Sequence, residues 1–258
     1  MSANMTTPHL PGKFIWFEHA SGDLSKARAF YEPLFGWHVE TMPMGGQSYS
    51  MILNGNEGIG GFVAASPGEA TRWVSYLSVP DVDKSFKAAT AAGAKAVMPP
   101  TDFAPVGRGA ALLDPTGAAV SLWKSANGDR PDVDSVAFGD WVWNELWTPD
   151  AKKAMAFYEK TFGYTHDAMD MGEQGTYWIL KSQGGQSRGG IFQAPDAKTP
   201  PMWLPYVHVA DCDASAAKAR QLGANVFMAP TEIPNVGRFA AMFDPQGAAI
   251  AIIKPMPR

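Results

Sequence analysis

Two glutamates stand in settings where a carboxylate could do acid–base work: Glu18 in Trp16-Phe17-Glu18 and Glu145 in Trp143-Asn144-Glu145. Strand side chains alternate between faces, so each glutamate shares a face with the tryptophan two residues before it. A carboxyl among tryptophans is partly desolvated, which raises its pKa and suits a general base. A glutamate tied to a neighbouring loop fits the same pattern. His208 lies in the strand pattern 203–209 and shares a face with Leu204 and Tyr206. It could join Glu145 as an acid/base pair or a partial metal site, or it could be a satisfied edge histidine. His19 falls on the opposite face from Glu18 and is expected to pack.

Arg108 and Arg238 follow Val-Gly in matching loops before a strand. An arginine there could clamp a carboxylate or phosphate, or tie the loop to the surface. Trp73 and Trp203 repeat, as do Tyr76 and Tyr206, and both sheet packing and ligand stacking fit them. With Trp16 and Trp143 they imply an apolar, aromatic-lined cleft. The glycine pairs 45–46, 60–61, 184–185 and 189–190 lack the context of a phosphate loop and read as hairpin turns or tight bends. No His-x3–5-His or Cys-x2-Cys spacing exists for structural zinc.

These residues sit on a duplicated framework. Ala29-Phe30-Tyr31-Glu32 matches Ala156-Phe157-Tyr158-Glu159, and Asp114-Pro115 with Gly117-Ala118-Ala119 matches Asp244-Pro245 with Gly247-Ala248-Ala249. The periodicity predicts α+β architecture. In the first copy a strand at 14–19 is followed by a helix opened by Asp23 and closed by Gly36, then strands at 37–42, 49–53 and 58–64. A second cycle has a strand at 73–79, a helix capped by Asp81 and ending at Gly93, and strands at 95–98, 109–113 and 119–123. Each copy therefore reads as two βαβββ units. The expected organisation is a loose tail at 1–11, a module at 12–125, a linker at 126–138 and a module at 139–258.

The motifs Asp23-x6-Phe30-Tyr31, Phe35-Gly36-Trp37 and Asp114-Pro115-Thr116-Gly117, with their copies at Asp150, Phe162 and Asp244, resemble the vicinal-oxygen-chelate superfamily. It includes glyoxalase I, bleomycin-resistance proteins and extradiol dioxygenases. The Trp-x-Glu openings further resemble its two-module, glyoxalase-like subgroup. The resemblance implies two tandem modules, each a pair of βαβββ units forming a curved mixed sheet around a cleft. It also implies divalent-metal ligands at set positions. Those positions fall on Trp16 and Trp143, on Val74 and Leu204, on Ser121 and Ala251, and near Gly60-Gly61 and Gly189-Gly190. Only the Ser121 hydroxyl among them is a ligand, and a poor one, so no metal residue is assigned and no cofactor is expected. An atypical divalent metal stays open.

The chain has 258 residues, a formal charge of −4 and 46% hydrophobic residues. No basic run supports nucleic-acid binding, and no apolar run approaches the ~20 residues of a membrane span. The single Cys212 and the lack of a signal-peptide pattern point to the cytoplasm. The expected partner is a small organic ligand, held by a monomer or homodimer. The leading function is small-molecule binding in aromatic clefts without the family's usual metal. A lyase, isomerase or oxygenase using Glu18 and Glu145 as bases, or an atypical metal, is the alternative. A third possibility is an interaction module with vestigial clefts.

Overall fold

A computed structural model describes residues 7–44, 47–196 and 199–256. The first copy opens with β1 (Phe14–Ser21), α1 (Leu24–Phe35), β2 (His38–Met44), β3 (Gln47–Asn54) and β4 (Glu57–Ala64). It continues with β5 (Arg72–Ser78), α2 (Val82–Ala91), β6 (Lys95–Phe103), β7 (Gly107–Leu113) and β8 (Ala119–Ser125). The second copy repeats this as β9 (Trp141–Thr148), α3 (Ala151–Phe162), β10 (Thr165–Asp170), β11 (Thr176–Lys181) and β12 (Ser187–Gln193). It ends with β13 (Met202–His208), α4 (Cys212–Gln221), β14 (Asn225–Ile233), β15 (Gly237–Phe243) and β16 (Ala249–Pro255), and among the described residues it also has a 3-10 turn at Gly172–Gln174. The fold is α+β, with two mixed eight-stranded sheets ordered β2-β3-β4-β1-β5-β8-β7-β6 and β10-β11-β12-β9-β13-β16-β15-β14.

Helix boundaries follow the chemistry read from the sequence. Asp23 Oδ1 accepts from the amides of Ser25 and Lys26 at 3.0 and 3.1 Å, and Asp150 Oδ1 accepts from Lys153 N at 3.0 Å. These bonds satisfy amides that have no intrahelical partner. Asp81 and Asp211 cap α2 and α4 in the same way. Gly36 (φ 74°) and Gly163 (φ 71°) end α1 and α3 in the left-handed region, where a Cβ is disfavoured. The buried stripes are Ala27, Phe30, Tyr31 and Leu34 on α1 and Ala151, Ala154, Phe157 and Tyr158 on α3. Each fully buried large side chain contributes about 1.5–3 kcal/mol. β6 runs past its expected end at 98 as far as Phe103, because register shifts at Ala96/Met98 and Met98/Thr101 keep it paired with β7.

Two compact units cut across the sequence copies. Unit 1 comprises residues 1–16, 75–133 and 144–203; unit 2 comprises 17–74, 134–143 and 204–258. Unit 1 thus draws its second helix–sheet motif from the first copy and its first from the second copy. Within it, Asp114 Oδ1 accepts from the amides of Thr116, Gly117 and Ala118, and Asp114 Oδ2 accepts from the Tyr158 hydroxyl at 3.1 Å. That hydroxyl in turn accepts from Trp203 Nε1 at 2.9 Å. Unit 2 repeats the arrangement with Asp244, Tyr31 and Trp73, and adds His19, whose Nε2 lies 2.8 Å from Asp244 Oδ2. The Asp-Pro-x-Gly and Phe-Tyr motifs are therefore one buried device. Burial, then the neighbouring aspartate, pushes the Tyr31 and Tyr158 hydroxyls well above the usual phenol range. Burial alone would raise the Asp244 carboxyl, but the His19 bond and charge with the turn amides outweigh it and hold it below the ordinary carboxylate value.

The segments expected as tail and linker are held in place where they are described. Asp129, 2% exposed, accepts from Leu10 N at 2.6 Å and from the Ser78 hydroxyl at 2.5 Å. Thr7 N donates to Asn127 O at 3.0 Å. The expected turn at 45–46 lies outside the described residues. Gly60-Gly61 and Gly189-Gly190 are not turns: they lie inside β4 and β12.

Candidate functional site

β1 presents two unlike faces. Phe17 and His19 point to the helix side, where His19 packs edge-on against Tyr31, Phe62 and Trp73. Glu18 therefore rises from the other face, the one without helices. β4 runs parallel beside it with Gly61 opposite Glu18. A Cβ at Gly61 would overlap the hydroxyl oxygen of Tyr49, so only glycine leaves room for that side chain. The Tyr49 hydroxyl donates to Glu18 Oε1 at 2.9 Å. The half-buried Glu18 thus sits against a tyrosine threaded over a glycine.

Unit 1 carries the second version. Gly190 of β12 lies opposite Glu145 of β9, and a Cβ there would overlap the Tyr177 hydroxyl. Here Trp147 Nε1 donates to Glu145 Oε1. Glu145 is 8% exposed and Trp147 is 6% exposed. Tyr49, Tyr177 and Trp147 were missed from the sequence. The sequence carries a signal for the tyrosines, matched ahead of matched Gly-Gly pairs, but such pairs read equally as hairpin turns or tight bends.

The structure separates the other expected residues. Trp73 and Tyr76 are three positions apart and so lie on opposite strand faces, as do Trp203 and Tyr206. Trp73 and Trp203 belong to the buried helix-side networks, with their N–H groups on Tyr31 and Tyr158, and are not cleft residues. Tyr76 is half-buried and meets Trp123 edge-on at 5.8 Å; Ser121, 4% exposed, lies opposite Tyr76 in the sheet. Tyr206 stacks on Phe239 at 6.3 Å and is 4% exposed. Trp16 and Trp143 are half-buried on their strands.

The arginines do not reach for a ligand. Arg108 Nε and Nη2 hold both carboxylate oxygens of Asp83 at 2.8 and 2.9 Å, and its Nη1 holds Asp102 at 2.7 Å. Arg238 holds Asp213 at 2.6 and 2.8 Å. Each pins the first turn of the helix packed beside it. The Arg108 bonds raise its pKa, and the arginines lower those of Asp83 and Asp213. His208 is likewise committed: its Nδ1 lies 2.7 Å from Val136 O and its ring 4.8 Å from that of Phe138. His208 belongs to unit 2 and Glu145 to unit 1.

Among the described residues no three His, Cys, Asp or Glu side chains converge in a way that could hold a metal ion. The positions where the fold family carries its ligands hold tryptophan, valine, leucine, serine and alanine, as read from the sequence. Among the described residues, these side chains do not fit a three-ligand divalent site.

The profile of the Glyoxalase/Bleomycin resistance protein/Dioxygenase superfamily matches residues 13–122 and 139–252. The chain belongs to this superfamily. This glyoxalase-superfamily chain is 37% identical over 249 residues to a Mycobacterium bovis protein named "Putative glyoxylase CFP32", covering 94% of the chain and 95% of the relative. It is 29% identical over 267 residues to the "Anthracycline biosynthesis protein DauV" of a Streptomyces species, with 96% and 95% coverage. Among solved structures, the Mn(II)-bound glyoxalase of Novosphingobium aromaticivorans aligns with a TM-score of 0.66 at 15% identity, covering 97% of this chain and 83% of that one. The 2,2',3-trihydroxybiphenyl 1,2-dioxygenase of Sphingomonas wittichii aligns at 0.64 and 17%, covering 95% and 90%. Likeness at such low identity speaks for the fold of this glyoxalase-superfamily chain and for nothing finer.

Proposed function

We propose that this chain binds a small organic ligand on the helix-free sheet face beside the paired glutamates, without the superfamily's usual metal. One observation carries the reading: each copy places a glutamate opposite a glycine, with a tyrosine ring laid over that glycine. A carboxylate in such a setting accepts O–H or N–H donors strongly, because charge-assisted bonds exceed neutral ones. The surrounding aromatic side chains supply apolar contact, as in many small-molecule sites. No helix among the described residues is long and apolar enough to cross a membrane. Burial pushes the Cys212 thiol up to about 11, so it stays protonated at neutral pH.

The second reading is an enzyme of the same superfamily, a lyase, isomerase or oxygenase; the name of the mycobacterial relative, "Putative glyoxylase CFP32", favours it only as far as being an enzyme. There, Glu18 or Glu145 would take a proton from a carbon acid, or an atypical metal would be recruited. Elemental analysis of untagged protein, followed by a thermal-shift screen of small hydroxylated aromatics, separates the two. The binding reading expects no stoichiometric Ni, Zn, Mn or Fe and at least one stabilising compound, whose effect Glu18→Gln reduces. Saturation at a hundredfold excess over Kd stabilises by about 2.7 kcal/mol. Stoichiometric metal, or no stabilising compound, overturns it.

A further inference from the structure

The two copies meet through bonds that the duplication repeats, such as Tyr31–Asp244 and Tyr158–Asp114, and through others that it does not. In unit 1 the buried Ser75 hydroxyl of β5 donates to Asn144 Oδ1 of β9 at 3.2 Å. The equivalent positions in unit 2 hold Pro205 and Phe17, both buried. In unit 2 His19 bonds Asp244, whereas the counterpart of His19 in unit 1 is Leu146.

The helix starts differ as well. Gln246 reaches from the second copy to the start of α1, where its Oε1 accepts from Asp23 N at 2.9 Å and its Nε2 donates to Asp23 O at 3.0 Å. The start of α3 is served from within its own copy. Gln193 Oε1 accepts from Ala151 N at 3.1 Å, and Gln193 Nε2 donates to Pro149 O at 2.6 Å. In the first copy Ala64 occupies the Gln193 position, since Ala64 pairs with Ser21 as Gln193 pairs with Thr148. Thr116 occupies the Gln246 position, and its hydroxyl turns to its own Asp114 at 2.7 Å.

We infer that these contacts make the helix-side face of each copy complementary to the other copy and not to itself. Pairing two second copies, from two chains, would bury the Asn144 amide against Pro205 and set Asp244 against Leu146. It would also bring Gln193 and Gln246 to one helix start. Pairing two first copies would bury the Ser75 hydroxyl against Phe17 and leave the start of α1 with neither glutamine. Asn144 makes the first mismatch costly. Its Nδ2 has no bond among the described residues, so losing Ser75 leaves the whole side-chain amide buried and unsatisfied. Specificity of this kind comes from unpaired groups in the wrong complex as much as from bonds in the right one. The repeated motifs alone would accept either partner; the unrepeated contacts hold the copies of one chain together and refuse those of a second.

A nicked full-length protein tests this. A protease site is inserted between Val133 and Asp134, both exposed. The folded chain is cut, unfolded in urea and refolded, and the complexes are counted by native mass spectrometry. Random recombination would make half of them mixed. The wild type is expected to give an excess of mixed over like-with-like complexes of about tenfold. Exchanging residues between the copies reverses the match. One exchange is Phe17→Asn with Asn144→Phe in the core; the other is Thr116→Gln with Gln246→Thr, at half-buried turns where folding is less at risk. Each is expected to cut the mixed excess several-fold. In the uncut chain each should also lower the urea midpoint, although the composition is unchanged, and that readout decides the matter if the nicked halves do not refold. A statistical mixture from the wild type overturns the inference, and so do exchange variants that keep the wild-type midpoint.

Discussion

The Tyr31 hydroxyl donates to Asp244 Oδ2 at 3.0 Å, although 213 positions of sequence separate them. Tyr158 makes the same bond to Asp114 at 3.1 Å across 44 positions. Each aspartate also holds the turn that follows it, through the amides of residues 116–118 in one copy and of 246 and 248 in the other. The most recognisable motifs of the chain thus join helix α1 or α3 to a turn in the opposite copy. Their role is architectural.

Asp244→Ala should be among the most destabilising substitutions. It strips partners from His19, Tyr31 and two turn amides inside a core. Breaking a buried charged network by removing one member costs about 3–5 kcal/mol. Tyr31→Phe removes two bonds, to Asp244 and from Trp73, but leaves the aspartate its other partners and should cost less, about 1–3 kcal/mol. Urea denaturation of both variants checks the order; equal losses would contradict it.

His19→Leu should cost less than Asp244→Ala. The second copy already places Leu146 at the equivalent position, fully buried, above a working Asp114–Tyr158–Trp203 network. With His19 gone, Asp244 keeps the Tyr31 hydroxyl and its turn amides. The denaturation midpoint of His19→Leu is the readout, and a loss matching Asp244→Ala would refute the comparison.

Acid should weaken the protein through two carboxylates. The Asp132 carboxyl is held down to about 2 by Arg188, with Lys13 adding to the effect, and Asp244 is held below its ordinary value. A depressed folded-state pKa means that the unfolded chain binds protons first. The stabilisation is complete above the unfolded value of about 3.9 and fades as pH falls toward the folded one. Asp132 is 45% exposed at its side chain, so solvent screening reduces its share to a few tenths of a kcal/mol. Asp132→Asn should therefore lower stability slightly at pH 7 and converge with wild type near pH 2. Denaturation midpoints at a series of pH values test this.

Gly61→Ala should disturb the Glu18 site by steric conflict alone. The new methyl overlaps the Tyr49 hydroxyl, and overpacking of this kind costs about 1–3 kcal/mol. Combining it with Tyr49→Leu should recover part of the loss, giving a double variant more stable than the sum of the singles. Strict additivity would show that the tyrosine and glycine do not share the space.

Arg108→Ala and Arg238→Ala should leave binding of any compound found by thermal shift unchanged, because both guanidinium groups are occupied by helix aspartates. Titration calorimetry with that compound is the check. A tenfold loss of affinity would restore the arginines to the ligand site.

The duplication, the helix caps at Asp23, Asp81, Asp150 and Asp211, and the placement of Glu18 and His19 on opposite faces were legible in the sequence. These depend on short-range stereochemistry: a side-chain oxygen meeting amides two or three residues ahead, and a strand alternating with period two. Other features were not legible. The Asp244–Tyr31 bond, the threading of Tyr49 over Gly61 and the capture of Arg108 by Asp83 depend on which strands and helices come together. Nothing local distinguishes a glycine that makes a turn from one that admits a neighbour's ring. Nor does anything local distinguish an arginine facing a ligand from one facing a helix. Side-chain alternation determined which face each glutamate occupies and set Trp147 beside Glu145 on one strand; tertiary packing decided that Tyr49, from a different strand, would meet Glu18.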